Sequence, residues 1–451
     1  MGSYSTLYVD GKEIFSRKHE PDQVLMTLFQ ASERLIRRGS IEEIAPSLLE
    51  DDPENASEQI ELLTYEITVN ALKDRLDLMG FSIEFARDEY ERIRNLKLEE
   101  SQNETEPISD APDCWNKFEA TQHALQELPF DRWLSTFEKF WNDEKLWGAI
   151  PRRPMPSKDS PLDELLLWYV STQSYDIPYS FLSDDARLLL RALCEILPPQ
   201  APVIYNLSEL AYDSGDAQEL AAFAEAYLDG GYATTRRIIV LTEGRTDQRA
   251  IEGSLKLLRP ALANYFSFLD FDTLAIPGGV TSVLNTLKAL ISVGIANRVV
   301  ALLDNDTAAH AAVQAAKLGA LPRNARIVFL PRLSPAENYP TLGPTGMTAM
   351  DINGLACSIE LFFGADVLTK DSGQLVPIQW KGYDDKLKRY QGEIMHKAEL
   401  QSSFGEKLSK AKEDPALLGT MDWAPMQMVI QSLVEAFHDM PPIDYGLENA
   451  E

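Results

Sequence analysis

The rhythm of apolar and polar positions changes twice along the chain. At the start, Leu7-Tyr8-Val9 and Glu13-Ile14-Phe15 flank Asp10-Gly11. Two such runs around an Asp-Gly pair predict a β-hairpin, because the pair tolerates the positive φ of a tight turn. A lone hairpin is marginal in water, so residues 1–20 are expected to pack on the region that follows. From about Pro21 to Asp229 the apolar spacing predicts helices. Val24, Leu25, Leu28, Phe29, Leu35 and Ile36 recur at helical intervals, as do Ile60, Leu63, Ile67, Leu72, Leu76, Leu78 and Phe81. A helix opened near Ser183 is expected to end by Pro198-Pro199, and Ser208 is expected to cap one running past Leu228. Glu99 to Asp113 is acidic and poor in large apolar groups, which predicts a loop or linker. Pro151 to Pro161 holds four prolines and excludes a helix interior.

After Gly230-Gly231 the rhythm changes again. Ile238-Ile239-Val240-Leu241, Val299 to Leu303 and Ile327 to Leu330 are short runs apolar throughout, with strand-like residues also over Phe266 to Ile276. Helical spacing lies between them, over about Thr246 to Leu258, Thr281 to Val293 and Thr307 to Leu318. Strands without polar alternation, separated by helices, predict an α/β domain whose parallel sheet carries helices on both faces. Met426 to Phe437 is an amphipathic helix, read as core or as the interface of a homo-oligomer. The expected organisation is a hairpin (1–20), an acidic helical domain (21–230), a catalytic α/β domain (231–400) and a C-terminal helical extension (401–451).

Charge sharpens this division. The 451 residues carry a net charge of −28. Residues 231–400 hold 18 Lys/Arg against 16 Asp/Glu, a net of +2, whereas residues 1–230 hold 21 against 45, a net of −24. The acidity therefore belongs to the N-terminal half, which is expected to screen the active site until a partner moves it. Cys114, Cys194 and Cys357 are far apart and offer neither a disulfide framework nor zinc-ligand spacing. The first residues lack the basic and apolar regions of a signal peptide, and no apolar run is long enough to span a bilayer. A cytoplasmic location without membrane contact is expected.

In parallel sheets chemistry sits past the carboxyl ends of the strands. There the chain places Thr242-Glu243-Gly244-Arg245-Thr246-Asp247 and Asp304-Asn305-Asp306. Neighbouring carboxylates repel unless a cation neutralises them, and Mg²⁺ or Mn²⁺ prefers such hard oxygen donors. Glu243, Asp304 and Asp306 form a candidate cup for one or two ions. An isolated Asp-x-Asp is common, and Asp247 reads equally well as a residue opening a helix. Further along, Trp380, Lys381, Tyr383, Lys386, Lys388, Arg389 and Tyr390 interleave cations with aromatics, which suits phosphate contact and base stacking, or else the exposed face of a helix. Lys381 is also a candidate for supporting the transition state.

Glu243-Gly244 after a first strand and Asp304-Asn305-Asp306 after a later one resemble the Toprim signature of topoisomerases, bacterial primases and OLD-family nucleases. Glu-Gly-Arg-Thr-Asp looks closest to the OLD-like branch. The resemblance covers about residues 236–332; the rest of the chain is similar to HEPN/Toprim-associated proteins. It implies a metal-dependent endonuclease of bacterial antiphage defence acting on DNA, RNA or tRNA, with a defence-system partner or trigger. Glu243, Asp304 and Asp306 would be catalytic and hold metal, with Asp247 and a later acidic residue adding to the site. Glu360 is preferred over Glu337 for that residue. Arg245, Lys381, Lys386, Lys388 and Arg389 would contact nucleic acid. HEPN ribonucleases carry Arg-x(4–6)-His on a helix; His19 and His123 lack such an arginine, and Arg389 with His396 lies in the wrong region. The helical half is therefore expected to dimerise, sense or restrain. The chain has no Walker A motif, no zinc module and no identifiable tyrosine nucleophile, which argues against an ATPase, a primase and a topoisomerase. The competing reading is a non-catalytic Toprim module whose acidic half binds a partner.

Overall fold

The structure is a computed structural model of the full chain. It describes residues 3–40, 59–103, 112–147, 155–157, 159–171, 178–183, 185–229, 237–269, 278–370 and 373–438. The chain divides into two compact units, Met1–Tyr232 and Ala233–Glu451.

The first unit contains the hairpin, formed by β1 (Tyr4–Val9) and β2 (Lys12–Lys18). Asp10 and Gly11 both take positive φ at its turn. Three further strands join it: β3 (Arg34–Ser40), β4 (Gln59–Thr68) and β5 (Pro202–Asn206). Together they form a five-stranded antiparallel sheet, ordered β2-β1-β5-β4-β3, with the hairpin at one edge. The expectation of helices throughout Pro21 to Asp229 is therefore corrected. Leu35 and Ile36 lie in β3, and Ile60, Leu63 and Ile67 in β4. Their spacing fitted a helix by coincidence. Cross-strand pairing decides short apolar runs, and β4 is buried along most of its length, so its pattern does not alternate cleanly.

Thr68 ends β4 and caps the helix Val69–Met79, which closes at Gly80 with φ +95°. Helices Ile83–Asn103, Pro112–Glu127, Phe130–Asn142, Leu162–Ser171 and Ala186–Leu193 follow. The linker expected over Glu99 to Asp113 is helical at both ends, and its middle, 104–111, lies outside the described residues. So do parts of the proline-rich stretch, 151–154 and 158, and the glycines at 230 and 231. The helix expected from Ser208 is broken in two, Ser208–Ser214 and Ala217–Asp229, by Gly215 at φ +76°.

Aromatic rings fill the helical core: Trp133 stacks on Phe137 at 5.3 Å and meets Phe181 edge-on at 5.0 Å. Trp133 is fully buried and its Nε1 donates to the Tyr179 carbonyl at 3.1 Å. Trp133→Ala should lower the stability of this unit by about 3–5 kcal/mol, through reduced burial and the cavity left behind. A melting temperature unchanged by that substitution would contradict this core.

The second unit is built on a parallel sheet of four strands: β6 (Ile238–Leu241), β7 (Phe266–Phe268), β8 (Val299–Leu303) and, after the short β9 (Asn305–Asp306), β10 (Ala325–Phe329). The sheet is ordered β10-β8-β6-β7. The strand-like stretch expected over Phe266 to Ile276 is β over Phe266–Phe268, and 270–277 lies outside the described residues. Helices Val280–Ser292 and Thr307–Ala316 share one core with the sheet, through Val283, Leu284, Leu287 and Ala309 against Leu241, Val299, Ala301 and Leu303. The helix Arg245–Leu258 packs instead with Lys397–Glu413 and Ala424–Val434. A Cβ on Gly253 would come within 3.1 Å of Leu408 Cδ1, so the two longest of these helices approach closely there.

A second sheet follows, made of β11 (Tyr339–Gly343), β12 (Gly346–Met350), β14 (Ile378–Asp384) and β15 (Arg389–Ile394) in the order β12-β11-β14-β15. Between its halves in sequence, β13 (Ala356–Cys357) pairs with β9. No helix among the described residues is long and apolar enough to cross a membrane.

Candidate functional site

The strand order of the parallel sheet creates the site. The chain passes from β6 to β7 on one side, then returns to place β8 on the other side of β6. Such a reversal opens a crevice at the carboxyl ends of the two diverging strands. Leu241 of β6 pairs with Ala301 of β8, so Glu243 and Asp304 emerge at the same edge from adjacent strands. The Asp304 backbone N–H donates to Glu243 Oε1 at 3.0 Å.

Three separate segments supply further carboxylates here. Asp247 stands in the first turn of the helix Arg245–Leu258. Asp306 caps the helix Thr307–Ala316 and accepts the Ala309 N–H at 2.7 Å. Glu360 lies in the 3-10 turn Ile359–Phe362 and is 0% exposed. Asp304 feels the negative charge of Glu243, Asp247, Asp306 and Glu360 together. It also accepts the Ile359 N–H at 3.2 Å. The floor beneath Glu243, Asp247 and Asp304 is apolar, made of Ile251, Leu302, Leu330 and Ile359.

Burial and mutual repulsion favour the protonated acids. Burial raises Glu243 to about 7, against the lowering effect of the Asp304 N–H, with Asp306 and Asp247 raising it further. Burial, then Glu360, raises Asp247 to about 6. Asp304 is driven well above the usual carboxylate range, by burial first and by Glu243 next. Asp306 is also raised, chiefly by burial.

A partly exposed cation faces this group, and the sequence pattern did not single it out. Lys397, the first residue of the helix Lys397–Glu413, places Nζ 3.2 Å from Glu360 Oε1. Burial pulls its ammonium down, but Glu360, Asp304 and Asp247 outweigh that and raise it. Ser358 Oγ donates to Glu360 Oε2 at 2.7 Å and Gln401 Nε2 to Oε1 at 2.8 Å. A lysine opening a helix stands against the helix dipole, and that was the available signal for Lys397. Nothing in the spacing tied it to residues as distant in sequence as Glu243 and Glu360.

Glycines let backbone close over the edge. Gly279 N–H donates to the Glu243 carbonyl at 2.6 Å, and a Cβ on Gly278 would lie 2.9 Å from that oxygen. No side chain fits at Gly278 without moving the strand end.

The other sequence candidates lie elsewhere. Glu337 makes an exposed ion pair with Arg332 at 3.6 Å. Lys381 is exposed and its Nζ donates to Gln379 Oε1 at 3.1 Å, so the cation facing the carboxylates is Lys397 and not Lys381. The stretch Trp380 to Tyr390, for which a helix face was one expectation, is the β14–β15 hairpin. Lys386, Lys388 and Arg389 are exposed around its turn. Arg245 is exposed at the start of its helix.

The donor set, five carboxylates of hard oxygen, fits Mg²⁺ or Mn²⁺ by its chemistry. Among the described residues no group of three or more His, Cys, Asp or Glu is gathered closely enough to hold an ion as it stands. Their oxygens accept instead from Asp304 N–H, Ile359 N–H, Ala309 N–H, Ser358, Gln401 and Lys397. Glu243, Asp247 and Asp304 line one small cavity, with Asp306 and Glu360 acting on Asp304 from beside it.

No curated protein and no solved structure matches the chain significantly. Residues 1–222 match the family described as HEPN/Toprim N-terminal domain 1, which supports placing the chain in the HEPN/Toprim-associated family and points to a nuclease-related function.

Proposed function

We propose that the chain is a Toprim nuclease of the OLD-like kind, hydrolysing phosphodiester bonds in nucleic acid with Mg²⁺ or Mn²⁺, as an effector of bacterial antiphage defence. The observation that carries this reading is the clustering of Glu243, Asp247, Asp306 and Glu360 around Asp304, where burial raises the pKa of Glu243, Asp247, Asp304 and Asp306. Glu243, Asp304 and Asp306 would hold one ion, and Asp247 with Glu360 a second. Bound ions at such a site supply Lewis acidity and an activated water.

The chain's own groups do the rest. The apolar floor limits water, which strengthens every charge above it. Lys397 neutralises part of the carboxylate charge and keeps Glu360 oriented, together with Ser358 and Gln401. The near-neutral charge of residues 231–400 allows a polyanion to approach where the acidic N-terminal half would repel it.

One observation favours the competing reading, a binding module without catalysis: the carboxylate oxygens are already engaged by protein donors. Cleavage assays separate the two. Purified full chain is incubated with supercoiled plasmid, single-stranded DNA and total tRNA in Mg²⁺, Mn²⁺ or EDTA. Cutting that requires metal is expected, and the substrate that disappears names the class. Intact substrates in every metal, from a folded protein, would favour the binding module.

A further inference from the structure

We infer that the β14–β15 hairpin is a stacking platform for unpaired nucleobases, so that the substrate is held as a single strand beside the carboxylate crevice. This rests on the proposed nucleic-acid chemistry of that crevice.

Tyr383 and Tyr390 are directly opposite each other in the hairpin register. Directly opposed residues share a face. Both rings are about half exposed, 49% and 50%, and meet edge-on at 5.1 Å. Trp380 continues the strip, 5.7 Å from Tyr390. Gly392 makes room for it, since a Cβ there would lie 2.8 Å from Trp380 Cε3. Large rings left open at a strand pair hide little surface from water for the fold itself, and such contiguous patches mark binding surfaces.

The charges around the strip suit a phosphate backbone. Lys381, Lys386, Lys388 and Arg389 are exposed on the same hairpin. Of its two aspartates, Asp384 is held in the turn, accepting the Lys386 and Leu387 N–H groups at 2.9 and 2.7 Å. Next to the strip runs a groove of about 660 Å³, between the helix Thr307–Ala316 and the hairpin, whose Tyr383 and Lys386 line it together with Asp384 and Asp385. That is the size class of ligand sites.

The platform is tied to the crevice. Thr307 Oγ1 donates to the Tyr390 carbonyl at 2.7 Å, and Thr307 directly follows Asp306. A Cβ on Gly354 would be 3.8 Å from both Arg389 Nη1 and Asn305 Oδ1, so the guanidinium reaches the neighbourhood of the residue between the two aspartates. A base stacked on Tyr390 is thus held by a strand that Thr307 ties to the segment carrying Asp306. Paired bases keep their faces inside the duplex stack, whereas unpaired bases offer them to aromatic side chains. The geometry therefore selects a single strand.

The test is fluorescence anisotropy with a fluorescein-labelled DNA of about 20 nucleotides, long enough to cover a typical single-strand site, with the equivalent RNA and the matching duplexes, in Mg²⁺. The full chain carries Asp304→Asn, so the probe survives. At least about tenfold tighter binding of the single strands than of the duplexes is expected. Tyr383→Ala with Tyr390→Ala should weaken single-strand binding by about tenfold or more, and the paired Tyr→Phe changes should restore it. Melting temperatures check that each variant is folded. Duplex bound as tightly as single strand, no binding of either, or an alanine pair that binds normally would overturn the platform. Single-strand binding at the tyrosines without cleavage by the unaltered chain would remove the nuclease and leave the platform. Cleavage with tyrosine-independent binding would do the reverse.

Discussion

Asp304→Ala should reduce metal-dependent cleavage by the full chain at least about 100-fold while the protein stays folded. Losing even an outer-shell partner of a metal ligand commonly costs about 10–100-fold in affinity or activity. Asp304 is the inner group: it faces Glu243, Asp247, Asp306 and Glu360, so its removal opens the centre of the donor set. Folding should survive, because the carboxylate is a source of repulsion in the metal-free protein. Against that relief stands the hydrogen bond its side chain accepts from the Ile359 N–H. Glu337→Ala provides the contrast. That side chain is exposed and paired with Arg332, and its removal should leave cleavage within about twofold. Comparable loss in both variants, or undiminished cutting by Asp304→Ala, would remove the crevice from the chemistry. Cleavage of the same substrates by both variants and the unaltered chain, side by side, decides it.

Glu243→Gln should raise the melting temperature of the metal-free protein at pH 8 by about 6–12 °C. Burial pushes the Glu243 carboxyl up to about 7 in the folded chain, against 4.5 for the free side chain. That difference corresponds to roughly 3 kcal/mol of cost for holding the carboxylate charged in the fold. In a unit of this size one kcal/mol shifts the midpoint by about 2–4 °C. Glutamine keeps an oxygen to accept the Asp304 N–H and carries no charge.

The direction with pH follows from proton binding. Between about pH 4 and 7 the folded state holds protons on Glu243 and Asp247 that the unfolded chain has released. Stability from these groups is complete below about pH 4 and is lost as pH rises through about 6 and 7. Mg²⁺ competes with those protons, so saturating Mg²⁺ should raise the midpoint more at pH 8 than at pH 5. Calorimetry of the unaltered chain and Glu243→Gln, with Mg²⁺ and with EDTA, measures both effects. A variant that melts at the same or a lower temperature at pH 8 would show that the carboxylate is not strained. An Mg²⁺ shift independent of pH would show that the ion does not meet these groups.

The chain alone determined the parts of this protein that local chemistry controls. Asp10-Gly11 marked the hairpin, because a tight turn needs positive φ there. Val299 to Leu303 marked β8 to the residue, because a strand covered on both faces must be apolar throughout. Glu243, Asp304 and Asp306 were legible because they follow such strands, where a parallel sheet opens. Long-range pairing decided the rest. β5 joins β1 and β4 in one sheet from far along the chain, and spacing within a segment cannot register a partner so distant. The same limit hid Lys397 and left the stretch of Tyr383 and Tyr390 open between a nucleic-acid contact and the exposed face of a helix. Lys397 reaches Glu360 because its helix packs against the turn Ile359–Phe362 as well as against Arg245–Leu258. A charge's partner is set by where the backbone carries it, and tertiary structure alone specifies that.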